Sequence, residues 1–135
     1  MTPNKEDYLK CIYELGQLDQ KITNKLIAEK MAFSAPAVSE MLKKMVAEEL
    51  ISKDVKAGYL LSQTALEMVS SLYRKHRLIE VFLVEQLGYS PEEVHEEAEI
   101  LEHTVSDHFI NRLDLLLEQP QTCPHGGSIP QAGQP

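Results

Sequence analysis

The apolar positions fall into helical stripes interrupted once by a short extended stretch. Tyr8, Ile12 and Leu15 repeat at i, i+4, i+7, which predicts a helix from about Pro3 to Leu15, with Thr2 and Pro3 as cap and first-turn pair. Leu26, Ile27 and Met31 predict a short helix over Asn24–Met31. Phe33-Ser34-Ala35-Pro36 reads as a tight turn, with Pro36 in the first turn of a helix to about Glu49 that buries Val38, Met41, Leu42 and Met45. Ile51–Val55 and Tyr59–Ser62, separated by Lys56-Ala57-Gly58, predict a β-hairpin. Thr64-Ala-Leu-Glu67 reads as a capping box opening a long helix to about Leu87, stopped by Gly88. Ser90-Pro-Glu-Glu93 is a second such box, and its helix is expected to reach about Leu117. Gln119–Pro135 holds four of the seven Pro and three of the six Gly, and reads as an irregular linker. No internal repeat is found.

The 135 residues, 43% apolar and 25% charged, fit one compact unit or two small ones. That composition excludes wholesale disorder, collagen and coiled coil. No apolar stretch reaches 18 residues and the N-terminus is polar, so neither a membrane span nor a secretory signal is expected. Cys11 and Cys123 are too few for a disulfide scaffold, and a reducing cytoplasm is the expected location.

A net charge of −8 argues weakly against nucleic-acid binding, but the charge is split. Residues 1–75 carry 11 Lys/Arg and 10 Asp/Glu, whereas residues 76–135 carry 2 and 11, together with all five His. The near-neutral half has the order of a winged helix-turn-helix, with Pro36–Glu49 as the candidate reading helix. Ser34, Pro36, Ala37, Ser39 and Glu40 at its start are small or polar, as approach to base edges requires. Lys43 and Lys44 lie a turn further on, where phosphates could be met, and Lys53 and Lys56 sit on the wing. The same lysines could simply be solvated, and no Arg stands ready to read guanine.

The acidic half offers a cation site. At about 100° per residue on one continuous helix, Val94, Ala98, Leu101, Val105 and Phe109 form an apolar face. His95, Glu99, Glu102 and His103 fall in the adjoining arc. His76 and Glu80 stand at i, i+4 on the preceding helix, on a face shared with Val69, Leu72 and Leu83, where unsatisfied polar groups are costly. A single such His is ordinarily a satisfied core residue, and Glu92, Glu93, Glu96 and Glu97 read as a solvated face. Together the two sets point to a divalent cation that relieves carboxylate repulsion. Carboxylates and imidazoles, with no CxxC and at most one thiol, suit Mn²⁺ or Fe²⁺ better than structural Zn²⁺.

With these residues in this order, the sequence resembles the diphtheria toxin repressor family, and within it the manganese-responsive branch. The resemblance spans essentially the whole chain. It rests on Asn4-Lys-Glu-Asp-Tyr8, Arg74-Lys-His-Arg-Leu-Ile-Glu80, Val94-His-Glu-Glu-Ala98, Leu101-Glu-His103 with Ser106-Asp107, and the Pro124–Gly133 run. It implies a dimeric, metal-activated repressor of palindromic operators controlling metal-ion uptake. The implied fold is mainly α: a winged helix-turn-helix domain over 1–72, an all-helical metal-binding and dimerisation domain over 73–120, and a Pro/Gly-rich linker over 121–135. The linker looks like the tether to a third, small β-barrel domain, absent here, that would normally lend ligands to the ancillary site. The family's primary site maps onto Asp7, Glu99, Glu102 and His103, and its ancillary site onto His76, Glu80 and His95. Asp7 comes from the resemblance alone. Iron-responsive members have Met and Cys where this chain has Asp7 and Glu99, and harder oxygen ligands favour Mn²⁺. Glu40 stands where the diphtheria repressor has Gln, so the operator is expected to differ. Cys123 could add a ligand to the primary site, although a free linker thiol is the plainer reading.

Three other functions compete. One is an iron-responsive repressor of the same family. Another is a di-metal carboxylate enzyme of helical-bundle type, which needs Glu-x-x-His from each of two helices, whereas only Glu92-x-x-His95 is present. The last is a helix-turn-helix regulator sensing an organic ligand. The expected partners are operator DNA and a second copy of the chain, with no membrane and no small organic substrate.

Overall fold

The computed structural model describes residues 3–132, and Thr2 and Gly133 lie outside them. The order is α1 (Pro3–Gly16), α2 (Asn24–Met31), α3 (Ala35–Ala47), β1 (Ile51–Asp54), β2 (Gly58–Leu61), α4 (Gln63–Leu87), α5 (Val94–Leu101) and α6 (Asp107–Leu116). The chain forms two compact units that divide between Val69 and Ser70, inside α4. None of the helices described is long and apolar enough to cross a membrane.

The first unit is a winged helix-turn-helix. Thr23 caps α2, its side chain accepting from Leu26 N, and Ser34 caps α3 by accepting from Ala37 N. The capped helices turn Ile27, Val38, Leu42 and Met45 into a core with Tyr8, Leu9 and Ile12 of α1, while Met41 is only half-buried. Each fully buried aliphatic side chain contributes about 1.5–3 kcal/mol. Strands β1 and β2 pair antiparallel, with Ile51 opposite Leu61 and Asp54 opposite Gly58. Asp54 Oδ2 accepts from the backbone N–H groups of Lys56 and Ala57 and closes the turn. At Gly58, φ is +87°, and a Cβ there would fall 1.9 Å from the Ile22 carbonyl oxygen. Ile22 N donates to Ala57 O at 2.8 Å, so the hairpin is seated on the chain leading into α2.

Helix α4 begins two residues earlier than the capping box at Thr64 predicts. Ser62 Oγ accepts from Ala65 N, and Thr64 lies inside the helix. Gly88, at φ +75°, follows its end.

In the second unit the single helix expected over residues 90–117 is two. Only the glutamate half of the capping box forms, with Ser90 N donating to Glu93 Oε2, and α5 starts later, at Val94, and ends at Leu101. Thr104 Oγ1 returns to the Leu101 carbonyl, and Ser106 caps α6 by accepting from Phe109 N. The break re-phases everything after it. Ile110, Leu113 and Leu117 enter the core, whereas Phe109, expected on the apolar face, is exposed. That core also holds Leu78, Val81, Leu83, Val94 and Ala98. The buried pair Arg74–Asp114 joins α4 to α6 at 3.1 Å.

The stretch expected as a linker packs for much of its length. Cys123 and Ile129 belong to the same core, Thr122 bridges Ser128, and Arg77 donates to the Ser128 carbonyl. Gly126, at φ +86°, supplies the turn that folds this short loop back.

Candidate metal centre

Helix α4 carries His76 and Glu80 one turn apart and buries both, at 7% and 1% exposure. His76 stands between two carboxylates, with Nδ1 2.6 Å from Glu102 Oε1 and Nε2 3.1 Å from Glu80 Oε2. A neutral imidazole has one N–H and cannot donate to both. Glu102, at 1% exposure, directly follows α5 and still has helical backbone, its N–H donating to the Ala98 carbonyl, so it keeps the phase of the helix that carries Glu99. His95 of α5 reaches both ways, with Nε2 3.3 Å from Glu99 Oε1 and Nδ1 3.9 Å from Glu80 Oε2. His103 Nε2 is 4.0 Å from Glu102 Oε2.

The loop after α6 adds two groups. Glu80, Cys123 and His125 bring one ligand atom each within 4.8 Å of one another, as do His76, Glu80 and His95, and His76, Glu99 and Glu102. Cys123 therefore lies with the Glu80 group rather than with Glu99 and Glu102, and it is a free thiol that is buried. His125 was not among the ligands expected from sequence, and its one local sign is the Cys123-x-His125 spacing. His125 Nε2 donates to the Pro91 carbonyl at 2.7 Å, while Nδ1 lies 3.3 Å from Glu80 Oε2. A carbonyl that fixes one ring nitrogen as donor leaves the other as a ligand atom in the neutral ring. The same Pro91 hydrogen bond, aided by the Glu80 charge, raises the His125 pKa above its ordinary value.

Glu80 is the group that asks for a cation. Its carboxylate is buried, and the side chains that approach it are three imidazoles and the Cys123 thiol, with no Lys or Arg ion pair to it among the described residues. A buried carboxylate is costly unless paired or metal-bound, and this oxygen–nitrogen–sulfur donor set fits a divalent transition metal. Asp7 is half-buried on α1, in the first unit.

The residues expected to meet DNA lie on α3 and the hairpin. Ser34, Pro36, Ala37, Glu40, Lys43, Lys44, Lys53 and Lys56 are exposed, and Ser39 is half-buried.

Two family models cover nearly the whole chain: "Iron dependent repressor, N-terminal DNA binding domain" matches residues 1–59, and "Iron dependent repressor, metal binding and dimerisation domain" matches residues 63–131. The chain belongs to the iron-dependent repressor family, that of the diphtheria toxin repressor. The resemblance read from the sequence motifs is thereby borne out, and because the family is one of transcriptional repressors, the enzyme reading ends here. The iron-dependent repressor IdeR of Mycobacterium leprae is 35% identical over 130 residues, covering 96% of this chain and 56% of the relative. Among solved structures, the manganese regulator SloR is 66% identical with a TM-score of 0.87, covering all of this chain and 63% of that one. ScaR with bound Zn²⁺ is 68% identical with a TM-score of 0.89, covering 96% of this chain and 61% of that one. The chain spans less than two thirds of the length of these relatives.

Proposed function

We propose that the chain is the DNA-reading and metal-sensing part of a Mn²⁺-dependent transcriptional repressor that binds palindromic operators as a homodimer and controls metal-ion uptake. Buried Glu80, surrounded by imidazoles, is the observation that carries the metal requirement.

Two ligand sets share the second unit. Glu80 and His76 of α4, with His95, Cys123 and His125, form one. Glu99, Glu102 and His103 form the other, which Asp7 completes on the family's pattern. A bound divalent cation supplies the positive charge that lets carboxylates of separate segments stay together. Asp7, on α1, makes the second set sensitive to where the DNA-binding unit stands, so occupancy biases that unit toward one arrangement. Oxygen at Asp7 and Glu99 favours Mn²⁺. Iron remains the second reading, supported by relatives such as IdeR that are named iron-dependent.

Homodimerisation is supported by the apolar side chains Ile100, Phe109, Leu115 and Leu116, which the second unit leaves 48–65% exposed. Two copies related by a two-fold axis present two α3 helices to successive major-groove turns, which makes the site palindromic.

The metal half is tested by calorimetric titration of Mn²⁺ into wild type and Glu80→Gln. The DNA half is tested by enrichment from a random duplex library with Mn²⁺ or with chelator. Enriched palindromes that depend on Mn²⁺ support the reading, and enrichment indifferent to metal contradicts it.

A further inference from the structure

Three side chains from three elements of the DNA-binding unit make one hydrogen-bonded row. Tyr59 of β2 lies with its hydroxyl 2.6 Å from Asn24 Oδ1 at the start of α2, and Asn24 Nδ2 lies 3.1 Å from Ser39 Oγ on α3. The lengths fix the direction. A separation of 2.6 Å is that of an O–H···O bond and is too short for a neutral N–H···O bond, which spans about 2.7–3.2 Å. Tyr59 therefore donates to the Asn24 carbonyl oxygen, and the Asn24 amide donates to Ser39. Burial raises the Tyr59 pKa, so its proton is retained.

Ser39 then accepts through one lone pair and keeps its own proton for another partner. No acceptor for that proton is found among the described residues. Ser39 stands beside Pro36, Glu40 and Lys43, which lie at i, i+4, i+7 along the exposed side of α3. Tyr59 is held by the seating of Gly58 on Ile22, so the hairpin's position sets the end of the row.

We infer that Tyr59 and Asn24 are positioning residues that fix Ser39 as a hydrogen-bond donor toward an acceptor on DNA, either a phosphate oxygen or a base-edge acceptor in the major groove. This rests on the reading of α3 as the DNA-contacting helix. A wing residue thereby sets what a reading-helix residue can recognise, without touching DNA itself. If the Asn24 amide stood the other way, Ser39 would be the donor to Asn24 and would face DNA with lone pairs only.

The test is a double-mutant cycle on the full chain with Mn²⁺, using a duplex selected by the wild type and a scrambled duplex. Ser39→Ala and Tyr59→Phe are each expected to weaken binding by on the order of threefold to tenfold, the worth of one hydrogen bond. In the Ser39→Ala background, Tyr59→Phe is expected to have no further effect, because its action passes through Ser39. Equal loss on both duplexes assigns the acceptor to phosphate, and loss confined to the selected duplex assigns it to a base. Additive losses, with unchanged helicity and melting temperature, would overturn the inference. Failure of the wild type to bind any duplex would instead strike the DNA-binding reading itself.

Discussion

His125 Nδ1 lies 3.3 Å from Glu80 Oε2, joining the loop after α6 to the middle of α4. Neither residue could hold a cation alone. Together with His76 and Cys123 they make a cluster of possible ligand atoms around a carboxylate buried without a basic side chain. Glu80→Gln keeps the shape and removes the charge. Calorimetry should show Mn²⁺ affinity falling by on the order of tenfold to a hundredfold, while the metal-free protein melts within a few degrees of wild type. Unchanged affinity would remove Glu80 from the site.

The raised pKa of His125 gives that site a pH dependence. A protonated ring is no ligand, so binding at the Glu80 group should weaken as pH falls through the raised His125 value and strengthen as it rises. Mn²⁺ titrations between about pH 6 and 8 follow this directly, and His125→Ala should flatten the dependence. In metal-free protein the sign reverses. The interactions that raise this pKa favour the protonated ring, so their contribution to stability is full at low pH and fades as pH rises through the folded-state value.

Arg74 and Asp114 are both buried, and removing one partner leaves the other charge uncompensated. Asp114→Ala is expected to destabilise the second unit by about 3–5 kcal/mol, measured by urea denaturation in chelator. Asp114→Leu with Arg74→Met, which removes both charges, should recover most of that loss. A loss of under about 1 kcal/mol for Asp114→Ala would show that the pair is effectively solvated.

Gly58→Ala places a methyl group against the Ile22 carbonyl at a backbone angle that L residues rarely adopt. A cost on the order of 2 kcal/mol is expected, concentrated in the hairpin. Hydrogen exchange should show the Ile22 amide, which donates to Ala57, losing protection before the amides of α3 do.

The two thiols should differ in how they respond to metal. Burial pushes Cys11 up to about 11, with Lys30 opposing and Glu14 adding to the rise. At pH 8 only about one Cys11 in a thousand is thiolate, so alkylation by iodoacetamide should be negligible in the folded protein. Labelling of Cys123 should slow further on adding Mn²⁺ or Zn²⁺, because its sulfur stands in the Glu80 group. Metal-independent labelling of Cys123 would exclude it from coordination.

The first unit was largely legible because its signals are local. Thr23, Ser34 and Pro36 mark helix starts, and Tyr8, Ile12 and Leu42 keep helical phase with the buried side. The errors came where two local signals competed. Ser62 and Thr64 could each cap α4, and the better-placed hydroxyl is Ser62. The apolar phase of Val94, Ala98, Leu101 and Val105 runs straight through the helix break, and it outweighed the Ser106-Asp107 start signal that the structure uses. His76, Glu80 and His95 were readable as i, i+4 pairs and polar groups on apolar faces. Cys123 and His125 were not, because 43 or more residues separate them from Glu80 and only the fold brings them together. No spacing rule reaches Asp7 either, and its role was implied by family resemblance alone.

The central claim is that metal governs DNA binding, and fluorescence anisotropy with a duplex selected by this chain tests it most directly. Mn²⁺ is titrated at fixed salt and then removed with chelator, in parallel for wild type and Glu102→Ala. The account predicts binding by the wild type that appears with Mn²⁺ and disappears with chelator, and none by Glu102→Ala at the same metal concentration while it remains folded. Equal binding by both proteins in chelator would contradict it.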